Sequence, residues 1–315
     1  MAKHISIFMM EKQPLYLISV IISFLNEERF LEEAVESVIK QDYINWELIL
    51  VDDGSSDGST RMAKHFALIY PEKIIYAEHE NHSNKGLSAS RNFGIAMAHG
   101  ELIAVLDADD VWTPSKLSLQ VEIIIAHPEI SMLCEASEYW YSWNGNEASK
   151  VDAIIQVGKQ QDKLFLPPQL AETLYPLSDG AAPCPSGIIV KKAAFDKLNG
   201  FEGNFTGKYQ LYEDQAFFAK IYLNEPVYIS SMCNNRYRQR EGSLVQKITL
   251  AGDYLQVRKY FLDWLHKYLY QNNIHYKSID RLLQCAFEPY NQPVLHYLKN
   301  LFNRLVVKLK KFQLK

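Results

Sequence analysis

The stretch LISVIISFLNEERFLEEAVESVIKQDYINWELILV, residues 17–51, holds two dense β-branched runs separated by a segment of helical period. In the first run, LISVIISF (17–24), apolar residues are nearly continuous rather than alternating, the pattern of a strand buried on both faces. Between the runs, Phe30, Leu31, Ala34, Val35 and Val38 fall on one side of a helix, and Asn26 stands where an N-cap residue belongs. WELILV (46–51) reads as a second strand. Strand, single helix and strand make a βαβ unit, and such units build a parallel sheet covered by helices.

The alternation continues outward from this core. The turn-rich DDGSSDGS (52–59) leads into an amphipathic stretch ending near Ile69, and KIIYA (73–77) is a third strand. A helix from about Ser88 to His99, stopped by Gly100, precedes a fourth strand, LIAVL (102–106). The expected fold class is therefore α/β, with a Rossmann-like, mostly parallel sheet flanked by helices. Residues 130–250 lose the regular pattern, with aromatic EYWYSW (138–143), Pro-rich LFLPPQLAETLYPL (164–177) and a bend at NGFEGNF (199–205); from about 250 onward the chain reads as helices.

Of the 315 residues, 48% are hydrophobic and 22% charged, as in a folded globular chain. A net charge of -4 argues against a nucleic-acid partner, which needs a basic surface to displace counterions from phosphates. Cys134, Cys184, Cys233 and Cys285 are widely spaced with no CxxC pair, so neither a zinc site nor a disulfide framework is expected; they read as reduced thiols of a cytoplasmic protein. LYLISVIISFL (15–25) is too short to span a bilayer, and no small-residue cleavage site follows it.

Sheets of this kind bind ligands beyond the carboxyl ends of their strands. There the sequence collects its polar residues: Asn26 and Glu27 after the first strand, Asp52 and Asp53 after the second, Asp107, Asp109 and Asp110 after the fourth. The three clustered aspartates repel one another, and burying any of them unpaired is costly. A divalent cation such as Mg2+ or Mn2+, held by one or two carboxylates and a substrate's phosphates, would receive them; a solvated acidic turn before the helix near Pro114 is the alternative. VDDGSSDGST (51–60) is compatible with a phosphoacceptor pocket of the receiver-domain kind, an acidic pair bonding a base or ribose, or a plain turn. NKGLSASRN (84–92) adds Lys85 and Arg91 near the same edge, where either can offset diphosphate charge or lie on the surface. In YQLYEDQAFFAKIYL (209–223), Glu213 and Asp214 open a helix whose Phe217, Phe218, Ile221 and Tyr222 face inward. Carboxylates there suit the helix dipole, and equally a general base that takes a proton from an attacking hydroxyl.

Taken in order, segments 18–60, 84–117 and 199–221, with YRQREGSL (237–244), resemble the family-2 type of nucleotide-sugar glycosyltransferases, which have the GT-A fold. The resemblance covers roughly residues 17–245. It implies that Ser23, Asn26 and Glu27 line a nucleotide pocket, that Asp53 meets the base beside Asp52, and that Lys85 and Arg91 sit near ribose and diphosphate. Asp107 and Asp109 form the DXD motif, with Asp109 the favoured ligand of Mg2+ or Mn2+ and Asp110 its neighbour; of Glu213 and Asp214, the aspartate is the family's usual base. Many relatives read Tyr-Arg-x-His where this chain has Tyr237, Arg238, Gln239 and Arg240; Arg238 and Arg240 are both expected at the nucleotide-sugar site, and Arg240, which cannot ligate a metal, is expected to act as a cation toward the diphosphate.

The implied activity is inverting, metal-dependent transfer from a nucleotide-diphosphate sugar to a hydroxyl of a saccharide or lipid-linked acceptor, in cell-envelope polysaccharide or glycolipid synthesis. A catalytically silent nucleotide-sugar-binding subunit is the alternative, one that would keep Asp53 but need neither Asp214 nor a metal. The expected organisation is a glycosyltransferase domain over 1–250, with nucleotide half 1–112 and acceptor half 113–250, then a helical C-terminal extension over 251–315. No acidic residue follows Glu288, and residues 293–315 form a basic amphipathic pattern suited to peripheral contact with the inner face of the plasma membrane or to packing on the protein.

Overall fold

A computed structural model describes residues 16–145 and 150–294. The first part of the chain runs β1 (Ile18–Phe24), α1 (Leu31–Ile39), β2 (Trp46–Asp52), α2 (Ser59–Ile69), β3 (Ile74–Glu78), α3 (Leu87–Met97) and β4 (Leu102–Val105). The middle of the chain adds β5 (Val111–Trp112), α4 (Lys116–Ala126), β6 (Met132–Cys134), β7 (Ser137–Trp140), β8 (Ala153–Ile155), β9 (Lys163–Phe165), α5 (Gln169–Thr173), β10 (Ile188–Lys191) and α6 (Lys192–Lys197). Then follow α7 (Glu213–Asn224), β11 (Val227–Ile229), β12 (Asn235–Arg238), α8 (Leu244–Leu250), α9 (Tyr254–Gln271) and α10 (Lys277–Asn291).

The main sheet has the order β3-β2-β1-β4-β10-β6-β11-β9, and its first four strands are parallel. Every residue of β1 is buried, because the strand's two faces feed two separate cores. Ile18, Val20, Ile22 and Phe24 pack with α1 and α4 on one side, while Ile21 joins α3 and the C-terminal helices on the other. The near-continuous apolar run of residues 17–24 is thus explained by period-2 alternation between two apolar environments. Gly94 lets α3 approach closely: a Cβ there would lie 2.8 Å from the Ile21 side chain.

The chain order reverses between β1 and β4, so their carboxyl ends open a crevice between Phe24 and Asp107. Beyond β4 the irregular middle of the sequence contributes the antiparallel β10, and a second sheet, β5-β12-β7-β8, stands against the crevice. At the base of this half a fully buried Lys116–Glu135 ion pair (2.6 Å) is completed by the Asn234 and Asn235 amides. The helices α9 and α10 pack into the same core as α7 through Phe261, Leu265, Ile279 and Leu283.

One local expectation changes. Asn26 does not cap α1, which starts at Leu31 without a side-chain cap; Asn26 takes a left-handed φ of 56° and its Oδ1 accepts from the Ser56 backbone N–H at 2.7 Å, tying the loop after β1 to the loop after β2. All four cysteines are free, as expected. No described helix is long and apolar enough to cross a membrane, and the amphipathic tail lies outside the described residues from 295 onward.

Candidate active site

Local chain geometry brings the polar residues together at the crevice. After β2, Asp52 is buried and holds its turn by accepting from Ser55 N–H (2.8 Å) and the Thr60 hydroxyl (2.6 Å). Asp53 spans to the start of α3, accepting from the Lys85 and Gly86 backbone N–H groups at 2.7 and 3.0 Å. Lys85 therefore reaches Asp53 through its backbone, and its side chain is exposed. Gly54, at φ +84°, passes so close to the loop after β3 that a Cβ would meet His82 O at 2.8 Å. Ser23, at the end of β1, is buried, and its hydroxyl has no partner.

Arg91 joins the aspartate cluster to the start of α7. Its guanidinium is 1% exposed and lies between Asp107 of the aspartate cluster (2.5 Å) and Glu213 at the start of α7. One cation thus fixes the end of β4 to the start of α7. Its charge goes to two protein carboxylates. Glu213 is buried and anchored, whereas Asp214 is half-buried, its carboxylate accepting from its neighbour Gln215 through the backbone N–H (2.6 Å) and the side-chain amide (3.2 Å). Burial raises the pKa of both carboxyl groups, Asp214 to about 6, with Arg91 opposing the shift.

The three aspartates separate by depth. Asp107 and Asp109 keep about a quarter and a fifth of their side chains open. Asp110 is fully buried, accepting from the Ser186 hydroxyl (2.6 Å) and the Arg238 backbone N–H (3.0 Å). Arg238 itself bonds Asp109 O (2.6 Å) and Glu33 (2.5 Å) inside a sleeve of Phe30, Trp140 and Trp143. Arg240 is bidentate to Glu27 at 2.6 and 3.1 Å and reaches Asp109 Oδ2 at 2.7 Å, so it bridges two carboxylates at the crevice rim while remaining one-third exposed. Glu33 and Ser186 carried no motif in the sequence, although the sleeve tryptophans lie in the aromatic EYWYSW (138–143) and the Pro-Gly punctuation of PCPSG (183–187) marks the loop that delivers Ser186.

Carboxylates outnumber cations here. Glu27, Asp107, Asp109, Asp110, Glu213 and Asp214 share Arg91, Arg238 and Arg240, and Arg238 also serves Glu33. Burial, and for the aspartates mutual repulsion, raises the pKa of Glu27, Asp109 and Asp110. A hard divalent cation would relieve this imbalance, and the partly open Asp107 and Asp109 suit Mg2+ or Mn2+. Asp107, Asp110 and Cys184 also place ligand atoms within 4.8 Å of one another, but burial keeps the Cys184 thiol protonated and a thiol is a poor ligand for such ions.

The sequence profile of glycosyl transferase family 2 matches residues 19–198, which contain the crevice strands and the aspartate cluster. The chain belongs to glycosyl transferase family 2. Among curated relatives of this family 2 glycosyltransferase is the Escherichia coli UDP-Glc:alpha-D-GlcNAc-diphosphoundecaprenol beta-1,3-glucosyltransferase WfgD, 34% identical over 110 residues, which are 35% of this chain and 42% of WfgD. The match therefore spans about two fifths of that relative's length. Among solved structures, S. aureus TarS 1-349 in complex with UDP-GlcNAc superposes with a TM-score of 0.61 at 21% identity, covering 90% of this chain and 75% of that one. The mannosyltransferase PcManGT from Pyrobaculum calidifontis, in complex with GDP-Man and Mn2+, gives 0.54 at 17% identity, covering 93% and 80%. The fold is GT-A, as the sequence led one to expect.

Proposed function

We propose that this family 2 chain is an inverting, metal-dependent glycosyltransferase that moves a sugar from a nucleotide-diphosphate donor to a hydroxyl of a saccharide or lipid-linked acceptor in cell-envelope polysaccharide synthesis. The observation that carries the reading is the Asp107–Arg91–Glu213 bridge, which holds the aspartate cluster and the half-buried Asp214 on one crevice. The names of relatives support the substrate classes: WfgD is a glucosyltransferase acting on a diphosphoundecaprenol-linked sugar, and TarS and PcManGT were solved with nucleotide sugars.

In this reading Ser23, Asn26, Glu27, Asp52 and Asp53 shape the nucleotide pocket, and Lys85 with Arg240 faces the diphosphate. Asp107 and Asp109 hold Mg2+ or Mn2+, with Asp110 bracing them from behind. When bound, the ion neutralises charge that grows on the leaving diphosphate. Arg240 sits on Asp109 and Glu27, so a cation held by Asp109 would displace it from that carboxylate, the donor's phosphates would draw it away from both, and its partial exposure leaves it room to turn toward them.

Asp214 accepts the acceptor's proton at a carboxylate oxygen while the hydroxyl attacks the anomeric carbon from the face opposite the diphosphate. One displacement gives inversion. Glu213 stays bound to Arg91 and sets the position of the helix start that carries the base. A nucleotide half over 1–112 and an acceptor half over 113–250 would share this crevice, and contact of residues 293–315 with the inner face of the plasma membrane would bring a lipid-linked acceptor within reach. A silent binding subunit would need neither Asp214 nor a metal, so transfer that depends on both distinguishes the two readings.

A base must be deprotonated to act, and burial disfavours the charged Asp214 carboxylate. Turnover is therefore expected to rise with pH through about 6 and level off above it. Initial rates of donor consumption across that range, with and without Mn2+, test both the base and the metal; a rate that is flat through the range would remove Asp214 from the role.

A further inference from the structure

The C-terminal helices close over the back of α7, behind the crevice. Between α5, α7, α9 and α10 lies a cavity lined by Leu174, Leu223, Phe261, Leu265 and Ile279, together with Gln215 and Tyr222 of α7. Its free space, about 20 Å3 open to the centre of a water molecule, suits one water. The walls are almost wholly apolar, yet Gln215 Oε1 and the Tyr222 hydroxyl are both buried there without a hydrogen-bond partner, their residues 7% and 4% exposed. A third polar wall group, the Tyr175 hydroxyl, is already engaged with Tyr212 and Tyr254.

Leaving such groups unpaired costs their desolvation in full, and folded proteins rarely do so. The occupant must donate to Gln215 Oε1 and pair with a hydroxyl, which water does and an apolar guest does not. Residues 215 and 222 lie two turns apart on one helix face, so both can point into one cavity. The other end of the Gln215 amide is the Nε2 that donates to Asp214 Oδ2 at 3.2 Å.

We propose that a buried water in this cavity joins Tyr222 to Gln215 and so fixes the Asp214 carboxylate, making Gln215 and Tyr222 positioning residues for the base. The role rests on Asp214 being that base; the water site does not. Through Phe261, Leu265 and Ile279, the C-terminal extension then shapes the support of the site as well as burying apolar surface.

A crystal structure of the full chain, together with pH profiles of Tyr222→Phe, Gln215→Leu and the double variant, tests this. Density for one water within hydrogen-bond reach of both side chains is expected. Each single variant should lower kcat about fivefold, the worth of one hydrogen bond, with KM nearly unchanged. Each should also move the acid limb to higher pH, because the carboxylate loses or loosens a donor, and the double variant should fall no further than Gln215→Leu alone. A dry cavity overturns the proposal, as does a Tyr222→Phe limb that stays in place while that of Gln215→Leu moves. If instead Asp214→Asn keeps its turnover, the positioning role falls with the base assignment even where the water is seen.

Discussion

Asp214→Asn is expected to lower sugar transfer by about 10²–10⁴-fold, the usual worth of a general base, while leaving the fold intact. Among the described residues the carboxylate accepts hydrogen bonds from the backbone N–H and side-chain amide of Gln215, within its own helix. An asparagine keeps an oxygen to accept from the Gln215 backbone N–H, so α7 loses little. What it loses is a group able to take a proton from the acceptor. Donor affinity should barely change, because the proposed role of Asp214 is toward the acceptor's hydroxyl, and the acid limb of the pH profile should vanish with the residual rate. Single-turnover kinetics with thermal unfolding as the folding control would check this; near-normal turnover in a folded variant would move the base elsewhere.

Arg91→Met should be the most damaging change to stability. Removing one partner from a buried ion pair typically costs about 3–5 kcal/mol, because the other charge stays buried and unpaired. Here two carboxylates, Asp107 and Glu213, lose the same partner. Arg91→Lys should recover only part of the loss, since an ammonium lacks the planar fork that reaches both at once. Denaturant unfolding of the three proteins gives the free energies directly. A loss below about 1 kcal/mol for Arg91→Met, the scale of an exposed pair, would show that the bridge does not hold the two elements together.

Arg91 also marks how far the sequence could be read. The parallel half of the sheet was legible because β-branched runs alternated with single helices, and the acidic strand ends fell where such sheets bind ligands. A lone arginine inside a helical stretch carries no sign of what it will face, because its partners are 16 and 122 residues away. The same holds for Arg240: its seat between Glu27 and Asp109 depends on a second sheet whose short strands leave almost no periodic signal. Asn26 misled for a different reason. An asparagine before a helix can cap it or can take a left-handed turn, and the Ser56 backbone on a neighbouring loop decided the matter. Asp110 was grouped with its neighbours by proximity in sequence, whereas the chain turns it inward to Ser186 and the Arg238 backbone.

The central claim is that the partly exposed carboxylates of Asp107 and Asp109 seat a divalent cation against a donor's diphosphate. Calorimetric titration of UDP, GDP and dTDP into the full chain, with and without Mn2+, addresses it most directly. At least one nucleotide should bind tenfold or more tightly with Mn2+, an effect of about 1.4 kcal/mol, and Asp109→Asn should abolish that gain. Binding indifferent to Mn2+, or no binding of any nucleoside diphosphate, would contradict the account.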